Sequence, residues 1–215
     1  MRGLSPKATA AIAAVVVMVL SILSYEAYYW ALQRRAVGPP PSPSLLSGYL
    51  GGRWSLDVNR SFTATFNVTQ GYISLRYLNG SLVTWPLKPY ESDFELPGPG
   101  GGATGGLPAL AEVYFFQGPN SSELVVEVFK ANETQAEQAL RALEARLGPP
   151  STKDGVKYYV ETSLVPLGES PNVHLAEVTY VYAVFRNYLV IVVSNATVSS
   201  QRLASLTVRY ALSLP

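Results

Sequence analysis

Cysteine is absent from the 215-residue chain, and histidine occurs once, at His174. Without cysteine the chain has no disulfide framework, no thiolate nucleophile and no cysteine-ligated zinc or iron–sulfur site. A single histidine excludes a multi-histidine metal site and leaves one imidazole as a candidate general base. The three aspartates lie in separate segments without the ligand spacing of a calcium loop. We therefore expect no metal and no cofactor.

Charged residues are also scarce, at 14% of the chain, whereas 48% of its residues are hydrophobic. The first 36 residues hold four of the 16 basic residues and one of the 15 acidic residues, so the remainder has 12 basic and 14 acidic residues. It has no cluster of Lys and Arg of the kind that contacts a phosphate backbone. We therefore expect that the chain does not bind nucleic acid. Its length suits one domain plus an anchor.

A long apolar run lies near the N-terminus. Residues 8–23 are all apolar or small hydroxyl residues, and apolar character continues to Leu32. About 20 apolar residues suffice to cross the hydrocarbon core of a bilayer. The run therefore predicts a transmembrane helix at residues 8–32, embedded in the lipid bilayer and preceded by cytoplasmic residues 1–7. A cleaved secretory signal peptide is the alternative, but the run is long and no clear A-x-A site follows it.

Six of the eight asparagines begin the glycosylation pattern Asn-x-Ser/Thr with x other than Pro. Random neighbours would give about one such sequon. Two sites also suit local structure, because Asn79-Gly80 is a turn pattern and Asn132 a helix N-cap. Glycans are added outside the cytoplasm, so the excess predicts an extracytoplasmic C-terminal part. Sequons without cysteine also suit an archaeal cell surface better than a eukaryotic secretory product. The candidate glycosylation sites are Asn59, Asn67, Asn79, Asn120, Asn132 and Asn195.

Three segments follow the predicted membrane helix. Residues 33–52 are rich in Pro and Gly, which favours an extended spacer. Residues 53–85 contain four short runs of alternating polarity separated by glycine-containing turns, which predicts an antiparallel β meander. Residues 86–108 are rich in Gly and Pro and poor in apolar side chains, so we expect a loop or a join between two subregions.

Residues 109–215 mix strand and helix patterns. A helix is predicted after Asn132, with Gln135 completing a capping box, and a second helix near the C-terminus. Helices combined with antiparallel strands predict an α+β domain, with both helices on one face of the sheet. The predicted order is β-β-α-β-β-β-α, with strands at Ala111–Gln117, Glu123–Lys130, Val156–Thr162, Leu175–Phe185 and Tyr188–Ser194.

His174 is the one candidate for catalysis. Glu169 and Glu177 lie near it in sequence, and an imidazole beside a carboxylate can act as an acid/base pair. A lone histidine at a loop-to-strand boundary is more often solvated or bonded to backbone, so we assign no catalytic residue. Residues 100–105 match the pattern G-x-G-x-x-G, but no helix pattern follows, so they predict no dinucleotide site.

The residues Arg2-Gly3-Leu4-Ser5-Pro6, followed by the apolar run, resemble the N-terminus of archaeal type IV pilins and related filament subunits. The resemblance covers this segment alone. It implies that a peptidase cleaves after Gly3 and that the exposed apolar helix then packs into a filament core.

Three hypotheses about function follow. The first is a membrane-anchored, extracytoplasmic, glycosylated and non-catalytic binding or accessory module, as a subunit of a larger membrane complex. The second is a pilin-like structural subunit of a surface filament. Protein partners or self-assembly are expected in both. The third is an enzyme, which would need His174 and a carboxylate together in a cleft.

Overall fold

One antiparallel sheet of ten strands organises the part of the chain that the computed structural model describes, residues 38–88, 106–108, 110–167 and 174–215. Three helices accompany the sheet, so the predicted α+β class with an antiparallel sheet is confirmed. The strands are β1 (Ser55–Leu56), β2 (Phe62–Asn67), β3 (Tyr72–Tyr77), β4 (Leu82–Pro86), β5 (Leu110–Gln117), β6 (Glu123–Lys130), β7 (Ser151–Lys153), β8 (Val156–Leu167), β9 (His174–Phe185) and β10 (Tyr188–Ser194). The helices are α1 (Pro43–Leu50), α2 (Glu133–Leu147) and α3 (Ser200–Ala211).

The predicted membrane-spanning segment, residues 8–32, lies outside the described residues, as do residues 1–7. The described residues belong to one compact unit, Val37–Pro215. No helix within them combines the length and the apolar character needed to cross a bilayer.

The strands follow one another across the sheet in the order β4-β3-β2-β5-β6-β10-β9-β8-β7, and β1 also pairs with β5. Two-residue turns, Asp154-Gly155 and Arg186-Asn187, join β7 to β8 and β9 to β10. The short strand β7 is an addition to the predicted order. Because β2 pairs with β5, the predicted meander and the C-terminal domain form one continuous sheet.

Strands β1 and β2 occupy the same edge of β5, and the residues between them bulge away from it. The N–H of Asp57 donates to the carbonyl of Phe115 at 2.8 Å, and the N–H of Phe115 donates to the Ser61 hydroxyl at 2.9 Å. The bulge therefore has a hydrogen-bonded base. Its tip carries one of the sequons, at Asn59.

Helices lie on both faces of the sheet, which corrects the prediction that they share one face. Side chains alternate between the faces along a strand. On β6, Val126 and Val128 belong to the core that includes α1 and α3, whereas Phe129 belongs to the core that includes α2. The central strands β6 and β10 carry apolar side chains on both sides, so both faces need a cover. The helical residues at the centre of the two cores are Leu46, Leu203 and Leu206 on one side and Ala136, Ala139 and Leu143 on the other.

Residues 43–50 form helix α1, where an extended spacer was predicted. The Ser42 hydroxyl caps the helix by accepting the Leu45 N–H at 3.1 Å, and Pro43 occupies the first turn, where its missing N–H is not needed. Leu46 is completely buried in the core. The spacer prediction is therefore wrong for this part of residues 33–52, because its proline starts a helix.

Helix α2 begins as predicted. The side-chain oxygen of Asn132 accepts the Gln135 N–H at 2.8 Å, and the side-chain oxygen of Gln135 accepts the Asn132 N–H at 3.0 Å. Gly148 ends the helix with a positive φ of 84°. The capping box predicted from the sequence is thus confirmed.

Candidate functional site

The sequon asparagines lie in turns or at the ends of strands and helices. None of the six is buried: Asn59, Asn79, Asn120 and Asn132 are exposed, and Asn67 and Asn195 are half-buried. A glycan on any of them would leave the domain without entering either core. Surface position, which the sequence alone could not guarantee, is therefore common to all six candidate sites.

Two of the sequons touch each other. The side-chain amide of Asn79 donates to the side-chain oxygen of Asn59 at 3.1 Å. The oxygen of Asn79 accepts both the N–H and the hydroxyl of Ser81, at 2.9 and 2.7 Å. Because attachment of a sugar replaces one of the two amide hydrogens and leaves the oxygen, these contacts do not exclude modification of Asn79.

Two further sequons flank a shallow pocket of about 220 Å³. Asn120 lies there in the left-handed region, with φ 54°, and the side-chain oxygen of Asn195 accepts the Glu123 N–H at 2.6 Å. The pocket is smaller than the roughly 300–1,000 Å³ of typical small-molecule sites. Glycans on either asparagine would lie at its mouth, so we assign it no ligand. Its lining residues are Leu50, Trp54, 119–122 and 195–198.

The remaining two sequons differ in how much of the asparagine amide is already engaged. Asn67 donates both to the side-chain oxygen of Gln70 at 2.8 Å and to the Tyr72 hydroxyl at 3.1 Å. A sugar on Asn67 would remove one of these bonds. Asn132 caps α2 through its oxygen, which a sugar leaves in place, so capping and glycosylation are compatible there.

The candidate acid/base residues are only partly within the described structure. His174 is the first residue of β9, and its backbone pairs with Leu167 of β8, but its side chain lies outside the description. Glu169 and residues 100–105 lie outside the described residues as well, and Glu177 is exposed. Across the part of the chain that is described, no three His, Asp or Glu side chains come together in a way that could hold a metal ion.

A buried polar cluster lies where the chain enters the domain, and the sequence did not point to it. Glu112 is 1% exposed, and the Tyr114 hydroxyl lies 2.9 Å from its carboxylate and 3.0 Å from the Gly38 carbonyl. The Tyr210 hydroxyl donates to the Pro39 carbonyl at 3.2 Å. Burial, and then the charge of Glu112, raise the pKa of both tyrosines above the usual value. The two phenols therefore stay protonated and hold the entering backbone.

Glu127 is a second carboxyl group that sequence reasoning missed. It lies on β6 between Val113 of β5 and Ile191 of β10. Burial raises the pKa of its carboxyl from 4.5 to about 7. Glu127 is half-buried on an otherwise apolar strand face, and with this pKa its charge would change near neutral pH.

Comparisons of the chain with protein-family models, with curated proteins and with solved structures find no match. The surface sequons and the fold are therefore the features from which a function can be inferred.

Proposed function

We propose that the chain is a membrane-anchored, extracytoplasmic, N-glycosylated module that binds or assists other proteins without catalysing a reaction itself. Residues 8–32 are its anchor in the lipid bilayer, and the compact unit Val37–Pro215 is its outer domain. In this proposal the module is a subunit of a larger membrane complex.

The surface position of all six sequons is the observation that carries the proposal. Six of the eight asparagines begin a sequon, and none of those six side chains is buried. Turn chemistry explains Asn79, and helix capping explains Asn132. Asn120 has a left-handed φ that asparagine favours, and Asn195 accepts the Glu123 N–H, but neither role requires the hydroxyl residue that follows two positions later. Selection for glycosylation accounts for all of them together.

Four of the sequons gather at one end of the sheet. Asn59 and Asn79 are hydrogen-bonded to each other, and Asn195 and Asn120 lie around the same pocket. Strand pairing puts β1, the end of β5 and the end of β10 at this end. Glycans there would shield this end, so partner contacts are expected on the faces and edges of the sheet.

The intact mass of the full-length protein from native membranes tests the proposal. We expect mass above that of the polypeptide, in steps of one glycan. Thr134→Ala and Thr197→Ala should each remove one step if that site is occupied, because both threonines are exposed sequon residues. The matched controls are Thr134→Ser and Thr197→Ser, which keep the acceptor hydroxyl. A mass equal to the bare polypeptide would refute glycosylation.

Purification in mild detergent tests the accessory role. A subunit of a complex should retain a second protein in constant proportion. Recovery as a lone chain, with no second protein in stoichiometric amount, would contradict this part of the proposal.

A pilin-like filament subunit is the alternative, and it rests on the Arg2-Gly3-Leu4-Ser5-Pro6 start. It requires a mature N-terminus at Leu4 and filaments visible by electron microscopy. Recovery of Met1 by N-terminal sequencing would exclude this alternative.

A further inference from the structure

Strand β8 has a long edge with which no described strand pairs. β7 covers only the beginning of β8, where Ser151 pairs with Tyr158 and Lys153 with Val156. From residue 159 to residue 167, β8 pairs with β9 on one side and, among the described residues, with nothing on the other. We call residues 159–167 the free edge.

The backbone groups that face outward along the free edge follow from the strand register. Val156 closes a two-residue hairpin with β7, so it belongs to a hydrogen-bonded pair. Hydrogen-bonded and non-hydrogen-bonded pairs alternate along an antiparallel ladder, so Tyr158 also faces β7. Beyond it, Val160, Thr162 and Leu164 direct their N–H and C=O groups away from the sheet, and Pro166 directs its C=O group the same way.

The side chains along the free edge leave it open to another strand. Val160 and Leu164 are 38% and 65% exposed, and the neighbouring Leu175 on β9 is 65% exposed. The free edge carries no lysine, one of the residues with which natural sheets block their edges, and its one proline, Pro166, lies near its end. Its one charged side chain, Glu161, is paired with Arg146 at 3.0 Å.

The sequons avoid this part of the sheet. All six lie on or next to β1 to β6, β10 or the start of α2, and none lies on β7, β8, β9 or their connections. Asparagines do occur there, at Asn172 and Asn187, but His174 and Leu189 take the place of the hydroxyl residue. The region around the free edge is thus free of candidate glycans.

We propose that two copies of this chain pair through their free edges, β8 against β8, in an antiparallel arrangement with two-fold symmetry. A second copy fits because the edge is complementary to itself. It offers outward N–H groups at Val160, Thr162 and Leu164, outward carbonyl groups at these residues and at Pro166, exposed apolar side chains and no unpaired charge.

The register of the pair follows from the length of the free edge. Ser163 is its midpoint, so symmetric pairing sets Ser163 opposite Ser163 of the second copy. Thr162 then lies opposite Leu164 of the second copy, and the two such pairs allow four hydrogen bonds between the copies. Val160 lies opposite Pro166, whose carbonyl accepts the Val160 N–H, so these two pairs add one bond each and the total is about six. Glu161 lies opposite Val165 of the second copy, so no like charges meet.

A paired strand of this length buries less surface than the roughly 1,200 Å² of a stable interface, so the dimer is weak in dilute solution. Anchoring both copies in one membrane raises their effective concentration and favours pairing. This last step rests on the proposed anchor, whereas the pairing geometry does not.

Disulfide trapping tests the pairing, because the chain has no cysteine of its own. Residues opposite each other in a non-hydrogen-bonded pair have Cα atoms about 4.5 Å apart, within disulfide range. Full-length Ser163→Cys, oxidised in native membranes, should give a disulfide-linked dimer that a reductant converts back to the monomer. Thr84→Cys is the matched control, on the exposed edge strand β4 at the other side of the sheet, and it should stay monomeric.

The outcomes separate the alternatives. Trapping of Ser163→Cys at a rate no higher than that of Thr84→Cys overturns the proposal. A disulfide between a Ser163→Cys chain and a Thr84→Cys chain in the same membrane would indicate head-to-tail pairing of β8 with β4. That result would also overturn the proposal. Dimers of a chain that proves unglycosylated would support the pairing while refuting the glycan part of the proposed function.

A charged residue on the free edge provides a second test, and folding should be unaffected because Leu164 is exposed. Leu164→Lys, in the Ser163→Cys background, should lower the yield of trapped dimer at least five-fold by placing a cation at the strand interface. Leu82→Lys is the control, because Leu82 is similarly exposed, at 58%, on β4. An equal yield of trapped dimer from Leu164→Lys and Leu82→Lys, both in the Ser163→Cys background, contradicts pairing through β8.

Discussion

Replacing Glu127 by glutamine should stabilise the protein at alkaline pH and leave its stability almost unchanged at acidic pH. Glu127 lies on β6 between Val113 of β5 and Ile191 of β10, with Val125 and Phe129 on the same face of the strand. Burial raises the pKa of this carboxyl to about 7. Ionising it inside the apolar surface therefore costs free energy, which glutamine does not incur because its amide is neutral at every pH.

The sign and size follow from proton linkage. The folded state holds its proton to about pH 7 and the unfolded state only to about 4.5, so folding is favoured at low pH. The stabilisation is fully present below pH 4.5, declines as the pH rises and is lost above pH 7. At 1.36 kcal/mol per pKa unit, the group costs about 3 kcal/mol once ionised. For a domain of this size, that corresponds to a rise in Tm of about 6–12 °C for Glu127→Gln at pH 8.5.

Thermal unfolding of the full-length protein in detergent, followed by circular dichroism between pH 4 and 8.5, measures this effect. The quantity of interest is the Tm difference between Glu127→Gln and the parent chain, because the contributions of the other titrating groups to Tm cancel in this difference. Glu177→Gln, at an exposed position on β9, is the control and should raise the Tm at pH 8.5 by less than Glu127→Gln, because the Glu177 carboxylate stays in contact with water. A pH-independent difference for Glu127→Gln would refute the reasoning.

Three further substitutions test the packing. Leu46→Ala should lower the free energy of unfolding by about 2–5 kcal/mol, because Leu46 is fully buried in α1, and a loss under 1 kcal/mol in urea unfolding would argue against α1 as core. Asn132→Ala should cost about 1 kcal/mol more than Thr134→Ala, since both remove the sequon but only the first removes the cap; equal costs would contradict the capping role. Gly118→Ala would place a Cβ 2.6 Å from the Trp54 ring, so we expect a loss of about 1–3 kcal/mol and altered tryptophan fluorescence, and an unchanged spectrum would contradict this contact.

Strand and helix positions were readable from the sequence where local signals agreed. The alternating polarity and the glycine-containing turns of residues 53–85 predicted four strands, and the structure has β1 to β4 there, but β1 pairs with β5, so only β2 to β4 form a meander. The capping box at Asn132 fixed the start of α2. These signals depend on neighbouring residues only, so no tertiary information was needed to interpret them.

The layering of the helices could not be derived in the same way, because the face on which a helix packs depends on its connections. A signal did exist in the apolar runs of β6 and β10, which are typical of strands buried on both faces. Helix α1 was missed because its prolines were interpreted as a spacer, although Ser42 and Pro43 form a good helix start.

The candidate site, like the fold, could be predicted only in part from the sequence. The six sequons are visible as a pattern, but their surface positions and the contact between Asn59 and Asn79 follow only from the strand order. Glu127 looks like any polar residue in a strand until its two neighbouring strands are known. The free edge of β8 exists because β7 is only three residues long, a strand too short to show a polarity pattern.

The second edge strand, β4, differs from β8 in features that decide which edge is open to another chain. β4 is only five residues long, so Pro86, which has no N–H to offer a partner strand, takes a larger share of its edge than Pro166 takes of the longer free edge of β8. Asn79 lies in the turn that leads into β4, and Asn67 lies near its other end, since Asn67 pairs with Tyr72 and Tyr72 with Pro86. Glycans at both sites would lie within one or two strand spacings of this edge, about 5–10 Å. Growth of a sheet from chain to chain needs two open edges, whereas a closed pair needs one. If glycans cover β4, edge pairing of this domain would end at two copies, and a filament would have to be built by other contacts.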